Sequence, residues 1–104
     1  MCKYKQYYEL KIKNYIMQDV NAGRIKLNKE NQLLFKDKVI DNYINYEWIK
    51  SQDFKCYICN ELFDIDLIDS KVSSNMTVDR IDNRLPHIKH NCKLCCIHCN
   101  ISKK

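Results

Sequence analysis

The sequence predicts an α+β fold: a helical lead-in over about residues 1–52 and a small metal-clamped ββα unit over about 53–104. Three observations predict it. Apolar residues recur at helical spacing near the N-terminus, as Tyr8, Ile12, Tyr15, Ile16 and Val20. Cysteines cluster in the second half, as Cys56-x-x-Cys59 and as Cys92-x-x-Cys95 followed directly by Cys96-x-x-Cys99. Between the clusters a β-branched run, MTVDRID from Met76 to Asp82, reads as a strand.

The elements follow in order. Residues 4–22 read as a helix, with Gly23 placed where a left-handed C-cap sits. Residues 28–40 carry Leu33, Leu34, Phe35, Val39 and Ile40 and are expected to be helical or turn-rich. Asn45 precedes YEWIK and predicts a short N-capped helix reaching about Gln52, packed through Trp48 and Ile49. Residues 62–68, LFDIDLI, partly alternate apolar and acidic and suggest a strand or extended loop. Asn83 to His90 contains the single proline and reads as a turn or Ω-like loop. Residues 91–95 return as the partner strand, and residues 100–104 add at most about a turn of helix.

The chain has 104 residues, one domain's length. One glycine and one proline exclude collagen-like and Pro/Gly-rich disordered chains. No apolar run approaches the ~18–20 residues of a membrane span. The polar start, MCKYKQYYELKIK, lacks the apolar core of a signal peptide. A soluble, intracellular chain, in cytoplasm or nucleus and without a membrane partner, is therefore expected. Its richness in Lys, Asn, Ile and Tyr suggests an AT-rich coding sequence such as that of a virus or phage.

The net charge of +5 favours a polyanionic partner. Its placement is informative: Arg80, Arg84, Lys89, Lys93, Lys103 and Lys104 follow one another with a single acid, Asp82, among them. These six residues are the candidate nucleic-acid contacts.

Seven cysteines without an export signal point to metal rather than to disulfides. Two CxxC turns suit a four-thiolate Zn²⁺ site, with sulfurs at ~2.3 Å from the ion. Cys56 and Cys59 form the first pair. The second could be Cys92/Cys95 or Cys96/Cys99, and the strand reading favours Cys96/Cys99. Cys92 and Cys95 fall on opposite faces of a strand, whereas Cys96 and Cys99 lead into a helix start. Cys2 stands apart and reads as a free thiol.

Together, Cys56-x-x-Cys59, TVDRIDN from Thr77 to Asn83, His87-x-x-x-Asn91 and Leu94-x-Cys96-x-x-Cys99-Asn100-x-x-Lys103 resemble the zinc-containing HNH endonuclease family. The resemblance covers about residues 45–104. It implies a ββα-metal, treble-clef-like finger whose structural Zn²⁺ clamps the ends. It also implies a hydrolase acting on DNA phosphodiesters through one catalytic divalent ion, Mg²⁺ or Mn²⁺. Carried over, Asp79 is the first ligand of that ion, Asn100 the second, and Asn91 the central asparagine that orients the base.

Arg80 stands where the family carries its general-base histidine. A guanidinium stays protonated and cannot accept a proton from water, though it could hold a phosphate or transition-state charge. Of the three histidines, His90 adjoins Asn91 and is the best placed to supply a base. His87 reads as a phosphate contact or structural hydrogen bond, and His98 as a surface or phosphate-contacting group.

Three functions are therefore weighed. The first is an HNH-type endonuclease. The second is a zinc-dependent nucleic-acid-binding module without chemistry. The third is a structural zinc domain that binds a protein partner through residues 1–44, where Tyr4, Tyr7, Tyr8 and Tyr15 would suit an interface.

Overall fold

The structure, a computed structural model, describes residues 5–63, 65–68, 71–74 and 76–102, with 65–68 and 71–74 as backbone. Cys2, Tyr4, Lys103 and Lys104 lie outside these residues. Helix α1, Lys5–Asn21, turns the expected stripe inward. Tyr8 and Ile12 are buried, and Tyr15, Ile16 and Val20 pack against the same core. Gly23 takes φ +76° and its N–H bonds the Val20 carbonyl, which ends the helix as expected.

The chain then departs from the sequence reading. Residues 28–40 are not helical. Strands β1 (Lys26–Leu27), β2 (Leu33–Phe35) and β3 (Lys38–Val39) form a small antiparallel sheet in that order. The turns explain the error. Lys36 and Asp37 both take positive φ, 53° and 65°, and so close a two-residue hairpin without glycine. Asn28 makes the preceding turn, its Oδ1 accepting the N–H groups of Glu30 and Gln32. Strands this short show no alternation to read.

Helix α2, Tyr46–Ser51, is capped as expected, with the Asn45 side chain accepting the Trp48 N–H at 2.9 Å. Trp48 and Ile49 are buried. A hairpin of β4 (Ile65–Ile68) and β5 (Lys71–Ser74) follows; only the first of these strands was anticipated. Strands β6 (Met76–Arg80) and β7 (Cys92–Cys96) then pair antiparallel and lead into α3, Ile97–Ser102. The helix starts three residues earlier than expected, so Cys99 and Asn100 both belong to it. The fold is thus a small α+β arrangement with three antiparallel sheets among the described residues. No helix among these residues is long and apolar enough to cross a membrane.

The β6–β7 register sorts the side chains. Met76, Val78, Cys92, Leu94 and Cys96 are buried on the core face. Thr77, Asp79, Lys93 and Cys95 have the opposite parity. One core runs from Tyr8 and Ile12 through Ile44, Trp48 and Ile49 to Met76 and Leu94, so α1 covers the hairpin. The tyrosines of α1 serve that packing: Tyr8 is fully buried, and the Tyr15 hydroxyl accepts the Val78 N–H at 3.1 Å.

Asp19, on α1, is completely buried. It accepts hydrogen bonds from Arg24 Nε, the Tyr43 hydroxyl (2.6 Å), the His87 N–H (3.0 Å) and His87 Nδ1 (2.8 Å). Burial opposes its ionisation, but these donors outweigh burial, with the His87 ring foremost, and hold the carboxyl well below the usual carboxylate range. A depressed folded pKa contributes stability that is fully present above the unfolded value of ~3.9 and is lost as pH falls towards the folded one. Asp19→Asn should therefore lower unfolding free energy by about 3 kcal/mol at neutral pH, the cost of breaking a buried charge network. It should also flatten the acid limb of the stability curve. Urea melts at several pH values check both.

Candidate metal centre and adjoining cleft

Residues 54–63 fold back on themselves to present the first cysteine pair. Lys55 bridges to Leu62, the Phe63 N–H bonds the Phe54 carbonyl, and the Cys56 N–H bonds the Glu61 carbonyl. Asn60, at φ 64°, closes the turn with its N–H on the Cys56 carbonyl. The Tyr57 N–H bonds the Leu94 carbonyl, which docks the turn on β7. Cys96 ends β7 and Cys99 sits in the first turn of α3, its N–H on the Cys96 sulfur at 3.4 Å.

The sulfurs of Cys56, Cys59, Cys96 and Cys99 consequently lie within 4.8 Å of one another, with Cys59 and Cys96 at 4.0 Å. A tetrahedron of Zn–S bonds near 2.3 Å has edges of about 3.8 Å, so the four thiols are of a size and softness to hold Zn²⁺. Among the described residues this is the one converging group of three or more Cys, His, Asp or Glu side chains. Burial opposes ionisation of Cys56, yet N–H groups from Cys59, Cys96 and Ile58 prevail and bring it down to about 6. Burial pushes the Cys92 and Cys95 thiols up to about 12. The pair chosen from strand parity, Cys96/Cys99, is the pair in the cluster.

Asp79, Arg80, Asn83, His87 and Asn100 line one polar cleft of about 510 Å³, together with Tyr15 and Gln18 of α1. Asn100 Nδ2 donates to the Thr77 hydroxyl at 3.3 Å, which engages the amide nitrogen and leaves its carbonyl oxygen as the hard donor. Asp79 and Asn100, the residues expected to hold a catalytic divalent ion, both line this cleft.

Asn91 is buried and fully used. Its Oδ1 accepts the Asp82 N–H, and its Nδ2 donates to the Asp82 and Pro86 carbonyls. It braces the loop that carries His87. Arg80 Nη1 donates to the Asn83 and Leu85 carbonyls at 2.7 and 3.1 Å, so the guanidinium braces the same loop from the other end.

Comparison with protein-family models, characterised proteins and solved structures gives no match.

The structure separates the three histidines. His90 lies exposed on the single 3₁₀ turn Lys89–Asn91 and is not among the residues of the cleft; His87 is. The turn rotates adjacent side chains apart, so burying Asn91 turns His90 outward. His98 is exposed on α3. Of the basic run, Arg84, Lys89 and Lys93 are exposed, and Arg84 pairs with Asp82. A second basic hollow, of about 500 Å³, brings Arg24, Lys26 and Lys36 near Arg84. Sequence reading missed Asp19 and Tyr15 as parts of the cleft's support. The one available signal was that Asp19 continues the buried stripe of α1, a polar residue on an apolar face.

The cluster should take up one Zn²⁺ per chain, released by strong chelators with loss of the β6–β7–α3 unit. Cys59→Ser or Cys96→Ser should lose the ion, and Cys92→Ser should keep it. Elemental analysis with circular dichroism checks this; zinc lost with Cys92→Ser would reassign the pair.

Proposed function

We propose that the chain is a metal-dependent endonuclease of the HNH, ββα-metal type that hydrolyses DNA phosphodiester bonds. The observation that carries this reading is the shared cleft: Asp79 from β6 and Asn100 from α3 face one space beside the four-cysteine cluster. When bound there, one Mg²⁺ or Mn²⁺ supplies charge neutralisation at the scissile phosphate and the leaving oxygen. The chain's own part is to hold that geometry. Thr77 orients the Asn100 amide, Asn91 and Arg80 brace the loop over the cleft, and the cysteine cluster joins the α3 start to the 54–63 turn. Exposed Arg84, Lys89 and Lys93 would contact phosphates and position the duplex.

One observation favours the second reading, a nucleic-acid-binding zinc module without chemistry. Arg80 occupies the position of the base in the family pattern and is engaged with loop carbonyls.

Two measurements test the proposal. With Mg²⁺ or Mn²⁺ the zinc-loaded chain should nick supercoiled plasmid, and Asp79→Ala should abolish nicking while zinc is retained. Metal-independent nicking, or none, would leave only the binding module. Separately, duplex affinity should fall as salt rises. Changing Lys89 and Lys93 together to Glu should weaken it roughly ten-fold or more, two phosphate contacts being lost. The same change at Lys29 and Lys50, exposed lysines outside the basic run from Arg80 onward, should do little. Equal losses from both pairs would instead favour a protein partner.

A further inference from the structure

We propose that His87, aimed by the buried carboxylate of Asp19, is the group that takes the proton from the attacking water in this cleft. The inference rests on the nuclease reading above and assigns the role that Arg80 cannot fill. Asp19 comes from α1, outside the segment that resembles the nuclease family, so the arrangement belongs to this chain's own N-terminal helix.

The argument starts with the hydrogen bond. Asp19 Oδ2 and His87 Nδ1 are 2.8 Å apart, and both side chains are buried. An ionised carboxylate can only accept, so Nδ1 carries the hydrogen. In the neutral ring the lone pair then lies on Nε2. Asp19 is itself held from several sides, by Arg24, the Tyr43 hydroxyl and the His87 N–H, so it cannot turn away. Tyr15 lies against the imidazole with ring centroids 4.6 Å apart and fixes its plane. Asn91 holds the Pro86 carbonyl next in the chain, and the Ile44 N–H bonds the His87 carbonyl at 3.1 Å.

His87 is among the residues that line the same cleft as Asp79 and Asn100. The charged and titratable groups about it are Asp19, Tyr15, Arg24 and Tyr43 from the N-terminal half, with Asp79 and Arg80 lining the same cleft. A carboxylate, a histidine with one tautomer and a facing space for substrate form the base-and-orienter pair that general-base hydrolysis needs.

The step balances without a further reactant. The water oxygen forms a bond to phosphorus as its proton passes to Nε2. The bond from phosphorus to the leaving sugar oxygen breaks, and that oxygen takes a proton from solvent. No atom changes oxidation state.

The test uses the full chain loaded with zinc, Mn²⁺ and supercoiled plasmid under single-turnover conditions. His87→Gln keeps a donor for Asp19 but offers no basic atom. It should bind duplex and zinc as wild type does and cut ~10²–10⁴-fold more slowly. His87→Ala should be restored in part by added imidazoles, more strongly by the more basic ones. Should His87→Ala fail to fold, His87→Gln decides. Cutting by His87→Gln within about three-fold of wild type, with Asp79→Ala dead, would overturn the role of His87 and leave the nuclease reading standing. Rescue that ignores imidazole basicity would likewise reduce His87 to a packing group. A wild type that does not cut would remove the nuclease reading itself, and this inference with it.

Discussion

The buried carboxylate of Asp19 is the constraint on which the rest of the arrangement depends. It sits on the fourth turn of α1 and gathers donors from Arg24, from Tyr43 just before α2, and from the loop ahead of β7. Its partners are separated from it by up to 68 positions in sequence. A charge taken from water this completely is tolerated only when its lone pairs are filled, so the three segments must meet for any one of them to be placed. The cleft inherits its shape from that requirement, because His87 and Tyr15 both reach it from around this carboxylate.

The cysteine cluster acts at the other end of the same hairpin. It joins the turn at 56–59 to the junction of β7 and α3, a six-residue helix that nucleation cost would leave marginal by itself. Between the two clamps, β6 and β7 bury Met76, Val78 and Leu94 against α1 and α2. Cys92 and Cys95 belong to this packing rather than to the four-cysteine cluster. They sit inside a regular strand, where burial pushes their thiols up.

The loop from Ile81 to Asn91 shows how the basic and polar residues of the motif divide their work. Asn91 and Arg80 both donate to loop carbonyls, one from each end, and Asn91 also accepts the Asp82 N–H. The loop is thereby held against Asn42 and Ile44, with the Lys89 N–H on the Asn42 carbonyl at 2.8 Å. A rigid loop of this kind can carry a functional side chain as accurately as a strand can. The residue it carries into the cleft is His87, not its more exposed neighbour His90.

The local features could be read from the sequence because each depends on neighbours within one turn or one strand. The α1 stripe, the Gly23 cap, the Asn45 cap and the β6 and β7 strands themselves are all of this kind. So is the choice of Cys96 and Cys99, which needed only the alternation of a strand. The sheet at 26–39 was not legible, since its turns use Lys36 and Asp37 in a conformation that sequence assigns to glycine or asparagine. Nothing local marks Asp19 as a hub, because its donors lie 5, 24 and 68 positions away. The sequence by itself determined most of the elements and which four cysteines could hold a metal ion, through short-range periodicity and spacing. Only the tertiary structure decided which histidine enters the cleft and what holds it there, because a buried charge takes its partners from wherever the fold brings them.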